Sequence, residues 1–322
     1  MFRWLFFLSW SLSNRFKELE NVQLQILGAG SAVPTKKFSH PSQVLSLREK
    51  VFMIDCGEGT QHQVRRYGVR VSRLNHIFIS HLHGDHCFGL VGLISTLDTQ
   101  GRTSDVYVHS HPELEQLVRP LIAFFCKGLS FDVHFVPFSP TESEVIYDDK
   151  SLSVRSFPLK HSVRSSGFLF KEHEKERHID GEMVKYFHIP IAQIPLIKRG
   201  ADFLTEDGEL IPNRQLTSDP TPAKSYAYCS DTAYTEKFLP YIEGVDCLFH
   251  EATFLHQDLP AAKKTMHSTA LQAATIAKMA NVKRLVIGHY SARYDDPLPL
   301  LEEAKGVFEA TDFATDGKTF IF

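Results

Sequence analysis

The chain alternates between short apolar runs and stretches that carry apolar residues at helical spacing. Runs rich in Val, Ile, Leu, Phe and Tyr predict strands, because these residues suit a pleated, half-buried surface. Helical spacing between the runs, opened in one case by Pro112, predicts intervening helices. The interleaving predicts an α/β (α+β) fold with two strand-rich halves. The predicted strands are 22–28, 43–47, 51–55, 76–80, 106–110, 133–137, 152–157, 167–170, 225–231, 246–251, 284–289 and 319–322, and the predicted helices are a short one within 56–68 and those at 112–125, 268–280 and 298–309.

Two segments depart from this pattern. Residues 171–222 are rich in charge, His and Pro and lack core periodicity, which predicts an inserted arm with a short helix near 182–188 and a hairpin at LTEDGELI. Residues 1–21 begin with the apolar run MFRWLFFLSWSL, which is too short for a membrane span of roughly 20 residues. Since no small-x-small cleavage site follows, we predict a poorly ordered N-terminal extension before one main domain over 22–322.

Composition narrows the class of protein. The 322 residues are 43% hydrophobic and 23% charged, as in ordinary globular proteins. Five cysteines without a Cys-x-x-Cys motif argue against a disulfide framework and favour a reducing, cytoplasmic location. The pair Gly28 and Gly30 lacks the third glycine of a dinucleotide fingerprint, so no nucleotide cofactor is expected.

The formal net charge of −3 argues by itself against a nucleic-acid partner. However, residues 1–75 hold 11 Lys and Arg against 5 Asp and Glu, so the acidic average conceals a basic part of the chain. This excess fits either a solvated face or a patch that faces phosphates. Its main contributors are Lys36, Lys37, Arg65, Arg66, Arg70 and Arg73.

The run SHLHGDH, at the end of the predicted strand 76–80, is the densest cluster of ligand-type side chains. His81 and His83 alternate along an extended backbone, so both imidazoles can point the same way. Asp85 and His86 follow a glycine turn and can point to a second position nearby. Four such groups are too many for one tetrahedral catalytic metal with an open position. They suit two adjacent metals, about 3.5–4 Å apart.

Three further candidates, His161, Asp231 and His289, each follow a predicted strand. Singly each is a weak signal, because strand-terminal His and Asp also cap turns. Together they complete a two-metal scheme of imidazole and carboxylate ligands, which suits Zn²⁺, with Mn²⁺ as an alternative. In this scheme one metal is held by His81, His83 and His161, the other is held by Asp85, His86 and His289, and Asp231 bridges them.

The HLHGDH motif resembles that of the metallo-β-lactamase superfamily. Together with GAGSAVPT, DCGEGTQ, RLNHIFISHLHGDHCFGLVGL, YCSDT, HEATF, MHST and GHYSARY, it resembles the ribonuclease Z family of tRNA 3′-processing endonucleases, in its short form, from about residue 22 to the end. The resemblance implies a four-layer αββα fold, a homodimer, precursor tRNA as the substrate and a tRNA-binding arm at 171–222. The arm lacks the family's Gly-Pro pair, and FSHPSQ after PTKK replaces a commoner Arg-Asn pair.

The expected reaction is hydrolysis of a phosphodiester by two metals and an activated water. Asp85 can orient or deprotonate that water, a role that the resemblance also implies. His267 is the candidate that protonates the leaving 3′-oxygen, with Glu251 to orient it. The plainer interpretation is that His267 has no catalytic role and is a polar residue at the start of a helix, which Ser268 caps.

Two other classes of protein stay open at this stage. One is another hydrolase of the same fold, either a thioesterase of the glyoxalase II kind or a small-molecule phosphodiesterase. The other is a non-catalytic RNA-binding protein with a structural metal. Precursor tRNA, a thioester and a cyclic nucleotide offered to the metal-loaded protein would separate them.

Overall fold

The structure is a computed structural model that describes residues 21–322. The N-terminal extension expected at 1–21 therefore lies, except for its last residue, outside the described residues. The described chain divides into two compact units, and the smaller one is Glu172–Ala223. No helix between residues 21 and 322 is long and apolar enough to cross a membrane.

Strands make up most of the regular structure and are numbered in chain order. The strands of the described residues are β1 Gln23–Gly28, β2 Ser42–Leu47, β3 Lys50–Ile54, β4 Leu74–Phe78, β5 Val106–Ser110, β6 Val133–Pro137, β7 Glu144–Asp148, β8 Leu152–Leu159, β9 Ser165–Glu172, β10 His178–Ile179, β11 Phe203–Leu204, β12 Leu210–Ile211, β13 Thr217–Ser218, β14 Ser225–Cys229, β15 Cys247–Glu251, β16 Leu285–Gly288, β17 Thr311–Phe313 and β18 Thr319–Ile321.

Two seven-stranded sheets form the larger unit. One has the order β18-β1-β2-β3-β4-β5-β6 and the other β17-β16-β15-β14-β9-β8-β7. Strands β3 to β6 are parallel in the first sheet, and β14 to β17 are parallel in the second. Carboxyl ends of parallel strands meet at one edge of a sheet, where ligand sites of α/β proteins usually lie.

Helices cover the outer faces of both sheets. Val64, Leu93 and Val118, from three helices, share an apolar cluster with one face of the first sheet. Helix Ala270–Met279 packs on β15 and β16, and helix Leu298–Lys305 packs on β17. The α-helices of the described residues are Thr60–Arg66, Gly84–Cys87, Leu90–Thr99, Glu113–Phe125, Gly181–Tyr186, Ile194–Lys198, Asn213–Leu216, Leu239–Ile242, Leu259–Thr265, Ala270–Met279 and Leu298–Lys305.

The main core lies between the two sheets. Phe52 of β3 and Phe170 of β9 have ring centroids 5.6 Å apart, and Phe78 and Phe168 are 5.7 Å apart. Aromatic side chains bury large areas and contribute beyond that area when their rings are tilted. The helix–sheet–sheet–helix layering confirms the predicted α/β fold class.

The structure corrects several predicted boundaries. The strand predicted at 76–80 ends at Phe78, because the N–H of Ser80 donates to Asp55 Oδ1 (2.8 Å) instead of continuing the strand pairing. The helix after His267 is capped by Thr269, whose side chain accepts from Gln272 N in a capping box, so the interpretation of Ser268 as the cap was wrong. The sequence analysis missed helix Leu90–Thr99 and the strands β7 and β17.

The smaller unit, Glu172–Ala223, contains the predicted short helix as Gly181–Tyr186 and the predicted hairpin as β11 and β12. It also has an apolar cluster of its own, which the sequence analysis did not anticipate. Five buried side chains form that cluster: Ile189, Ile197, Phe203, Ile211 and Leu216. A small separate core explains how this segment is compact despite its polar composition.

Candidate metal centre

All seven predicted ligands come together where the central strands end. His81 follows β4, Asp231 follows β14 and His289 follows β16, so the sheets deliver them to one edge. A backbone bridge between His81 and Ser165 ties the ends of the two sheets there. The side chains form two adjacent groups, one of His81, His83, His161 and Asp231, the other of Asp85, His86 and His289.

The first group is a ring of imidazole nitrogens. His83 Nδ1 lies 3.1 Å from His81 Nε2 and 3.2 Å from His161 Nε2. Asp231 Oδ2 closes the ring at 3.5 Å from His81 Nε2 and 3.7 Å from His161 Nε2. His161 Nδ1 donates to the carbonyl of Met266 (2.9 Å), which leaves a lone pair on its inward Nε2.

The second group faces the other oxygen of the same aspartate. Asp231 Oδ1 lies 3.2 Å from His289 Nε2 and 3.4 Å from His86 Nε2. Asp85 Oδ2 lies 3.7 Å from His86 Nε2 and accepts a hydrogen bond from the Ala32 N–H (2.9 Å). Asp231 therefore divides its two oxygens between the two groups, which is the arrangement expected of a bridging ligand.

Two atoms of the second group and the Asp231 oxygen that faces them fit a cation. His86 Nε2, His289 Nε2 and Asp231 Oδ1 are buried and have no hydrogen-bond partner within residues 21–322. Burying such atoms without a partner is costly, and a bound metal ion would satisfy all three. The donors are imidazole nitrogens and carboxylate oxygens, the set that zinc prefers when thiolates are absent.

Asp55 is a functional residue that the sequence analysis did not single out. Its carboxylate is fully buried and accepts from His86 Nδ1 (2.7 Å), Tyr228 OH (2.7 Å) and both the N–H and the hydroxyl of Ser80. Because Nδ1 of His86 must carry the donated proton, Nε2 is the atom of this imidazole that is left to hold a metal beside Asp231. The same rule of strand-terminal carboxylates would have found Asp55, which directly follows β3.

Through the hydroxyl of Ser80, Asp55 also orients His81. Since the Ser80 hydroxyl donates to Asp55 Oδ2 (2.9 Å), it accepts from His81 Nδ1 at 3.0 Å. The proton of His81 is thereby held on Nδ1, and its Nε2 faces the first group with a lone pair. One buried carboxylate thus orients a ligand in each group.

Glu251 organises the opposite side of the centre. Its Oε2 accepts from the Thr253 hydroxyl (2.7 Å), which in turn accepts from His289 Nδ1 at 2.9 Å. Its Oε1 accepts from His267 Nδ1 (2.9 Å) and from the Ser268 N–H (3.0 Å). Glu251 therefore fixes a ligand through Thr253 and holds His267 directly.

Carboxylates raise the pKa values of two imidazoles at the centre. Burial opposes the protonation of His86, yet the carboxylates of Asp231 and Asp55 raise its pKa well above the ordinary value. Burial likewise opposes protonation of His267, but Glu251 raises the pKa of that imidazole to about 9. His267 is thus held as a cation at neutral pH, which suits a proton donor.

The centre opens into a cleft of about 690 Å³ that His83, Asp85, His161, His267 and His289 help to line. Among residues 21–322 no cysteine belongs to either group, and burial raises the pKa of the nearby Cys87 thiol to about 11 and that of Cys229 well above the usual value. A metal held here would be reached by substrate through the cleft.

Comparisons with known proteins agree with this geometry. A family model described as "Beta-lactamase superfamily domain" matches residues 217–290, and one described as "Anti-Pycsar protein Apyc1" matches residues 22–175. The solved structure of human tRNase Z, short form, aligns with a TM-score of 0.68 at 23% identity, covering 92% of this chain and 98% of that one. At that identity the likeness establishes the fold alone.

The two facing sheets and the paired His/Asp groups at their edge define a metal-binding hydrolase of the metallo-β-lactamase fold. The Ribonuclease Z of Parabacteroides distasonis is 52% identical over 299 residues, covering 93% of this chain and 98% of the relative. The Ribonuclease Z of Bacteroides thetaiotaomicron is 53% identical over 298 residues, covering 92% and 94%. The chain belongs to the ribonuclease Z family and is a hydrolytic endoribonuclease.

Proposed function

We propose that this chain is a zinc-dependent endoribonuclease that removes 3′ trailers from precursor tRNA. The products are a tRNA with a 3′-hydroxyl and a trailer with a 5′-phosphate. The observation that carries this proposal is the paired His/Asp centre at the floor of an open cleft, with His267 held on its wall by Glu251. The names of the two relatives support the substrate class.

Two zinc ions are the proposed cofactors, with manganese as an alternative. His81, His83 and His161 would hold one, Asp85, His86 and His289 would hold the other, and Asp231 would contact both. Bound there, the ions supply Lewis-acid polarisation of the phosphodiester and a water that is nucleophilic at neutral pH.

The protein's own groups supply orientation and proton transfer. Asp85 Oδ2 is fixed by the Ala32 N–H and is placed to orient the attacking water. His267, kept protonated by Glu251, donates its proton to the departing 3′-oxygen. Glu251 acts through His267 and Thr253, so it is a positioning residue.

Cleavage of precursor tRNA by the metal-loaded protein tests the proposal. Asp85→Ala should keep the fold and lose cleavage by about 10²–10⁴-fold, the usual contribution of a positioned acid–base group. Full activity of a folded Asp85→Ala variant would contradict the role. Preference for a thioester or a cyclic nucleotide over precursor tRNA would instead favour another hydrolase of this fold.

We also propose that the arm, expected at 171–222 and compact as Glu172–Ala223, contacts tRNA. It holds six Lys and Arg against ten Asp and Glu, and Lys175, Lys185 and Lys198 pair with carboxylates inside it. Exposed Arg199 and Arg214 have no carboxylate partner among the described residues and are the cations that remain for phosphates.

The strands on either side of the arm allow its removal. Since Lys171 pairs with Ser225 across adjacent strands, a two-residue turn can replace the arm.

A homodimer is the proposed assembly, and helix Glu113–Phe125 is its proposed interface. Four large apolar side chains of this helix are exposed beside its buried residues: Leu117, Leu121, Phe124 and Phe125. Acidic residues occupy the first turn, and Lys127 follows the last. Two copies packed antiparallel would join each acidic end to a basic end, as a self-complementary twofold interface requires.

Free, buried cysteines support the proposed cytoplasmic location. All five cysteines of the chain lie in the described residues and are unpaired. Such thiols persist in a reducing compartment.

A further inference from the structure

Three cavities of the larger unit follow one another away from the metal centre. The catalytic cleft is lined by Ala32, Pro34 and His40, and the next cavity, of about 620 Å³, by the intervening segment Thr35–Ser39. A third cavity, of about 380 Å³, shares Tyr67 with the second. We propose that the second and third cavities form a binding track for the single-stranded RNA trailer. This inference rests on the proposed function, because a trailer exists only if the chain cleaves precursor tRNA.

The track is basic. Seven Lys and Arg side chains line its two cavities, against three carboxylates. Asp316, one of the three, is engaged by the backbone N–H groups of Ala29 and Ser39 and by Gln63. The side chains of Lys36 and Arg70 are exposed and have no hydrogen-bond or ion-pair partner within residues 21–322. Exposed cations without a protein partner are available to phosphate groups.

Aromatic side chains lie among these cations. Tyr67 is half-buried between the two cavities, and the Arg66 guanidinium lies 5.8 Å from its ring centroid. A side chain at Gly317 would approach this ring to 2.4 Å, so that glycine keeps room for Tyr67. Phe313 lines the second cavity as well. Cations with interspersed aromatic rings are the features that bind single-stranded RNA, whose unpaired bases can stack. In a duplex the bases are stacked inside the helix, so they cannot stack on the aromatic side chains of the track.

The polarity of the reaction assigns the track to the trailer. His267 protonates the 3′-oxygen that stays with the tRNA, so the tRNA end lies on the side of His267 and Lys264. The trailer is the strand on the other side of the reacting phosphate, and the track begins at the loop whose Ala32 N–H holds Asp85. Because the track has the features of a single-strand site, the strand that leaves with the 5′-phosphate follows Lys36 and Arg66.

The test compares precursor tRNAs with a single-nucleotide trailer and with a long unstructured trailer. Lys36→Ala/Arg66→Ala should raise KM for the long trailer roughly 14-fold at about 0.15 M salt, since a salt slope of about −0.7 per phosphate contact of a single strand gives roughly fourfold for each cation relative to about 1 M salt. The dependence of log KM on log salt should lose about 0.7 units of slope per cation. KM for the single-nucleotide trailer should stay near the wild-type value.

Lys150→Ala/Lys305→Ala, which removes two exposed cations outside the track, is the matched control and should change neither KM. An equal rise for both trailers would place the contacts on the tRNA body and overturn the assignment, as would no rise for either. A 5′-phosphorylated trailer oligonucleotide, followed by fluorescence anisotropy, tests the track directly. If the wild type cleaves no precursor, the proposed function is wrong. Weaker binding of the oligonucleotide by the double variant than by the wild type would still support the track, and equal binding would contradict it.

Discussion

Asp55→Asn is the most informative single change at the metal centre, because Asp55 touches no proposed metal position yet contacts His86. Its carboxylate is buried at the end of β3, with a φ of 57°. Asparagine tolerates this left-handed conformation, so the substitution changes the charge and the hydrogen bonding while keeping the backbone. The change therefore isolates the orientation of His86 from the ligands themselves.

The expected magnitude follows from the four hydrogen bonds that Asp55 accepts. Asparagine keeps one acceptor oxygen and replaces the other with an NH₂ donor. If the NH₂ faces the Ser80 N–H, a buried backbone donor loses its partner at a cost of about 1–3 kcal/mol. If it faces His86 Nδ1, two donors meet, and the imidazole must carry its proton on Nε2, the atom that faces Asp231.

Both orientations remove the negative charge that strengthens His86 as a ligand. Loss of such a partner typically weakens metal binding by about 10–100-fold, or about 1.4–2.8 kcal/mol. Zinc affinity, measured by competition with a chromophoric chelator, should fall by that factor. Asp246→Asn is the matched control, because Asp246 is a buried carboxylate that accepts from Ser225 far from the centre. Unchanged zinc affinity in a folded Asp55→Asn protein would refute the reasoning.

Three other changes test the remaining roles. His267→Gln should lower kcat on precursor tRNA by about 10²–10⁴-fold but much less on a nitrophenyl phosphodiester, whose leaving group needs no proton; equal losses would argue against proton donation. Replacing residues 172–224 with an Asn-Gly turn should raise KM for precursor tRNA and leave the small substrate unaffected, and a parallel change in both would contradict the arm's role. Leu117→Glu/Phe124→Glu should yield monomers by analytical ultracentrifugation, whereas Met279→Glu, an exposed apolar control, should not.

The proposed ligands could be predicted because each one follows a strand or lies in one dense motif. Parallel strands bring their carboxyl ends together, so His81, Asp231 and His289 converge without any knowledge of side-chain packing. Asp55 satisfies the same rule and could have been predicted from it, but its contacts with partners 25 to 173 residues away along the chain could not. Long-range hydrogen bonds of this kind leave no local pattern in the sequence.

The missed elements have different causes. Helix Leu90–Thr99 buries Leu90, Leu93, Ile94 and Leu97, and this helical spacing was present in the sequence but was not used. Strand β7 has no buried residue, so its sequence carries no alternation to detect. The arm's core joins side chains that are dispersed over 28 residues, from Ile189 to Leu216, among polar segments. Tertiary contacts alone bring them together.

The net charge is a poor guide to the partner because the charges are separated in space. Asp55, Asp85, Asp231 and Glu251 concentrate negative charge at the centre, where two divalent cations would add four positive charges to the formal −3. Seven of the eleven basic residues of the first 75 positions instead line the two cavities beside the cleft. An RNA strand would thus meet a neutralised centre and a basic track. Removing the metals should therefore weaken RNA binding in the cleft more than binding along the track.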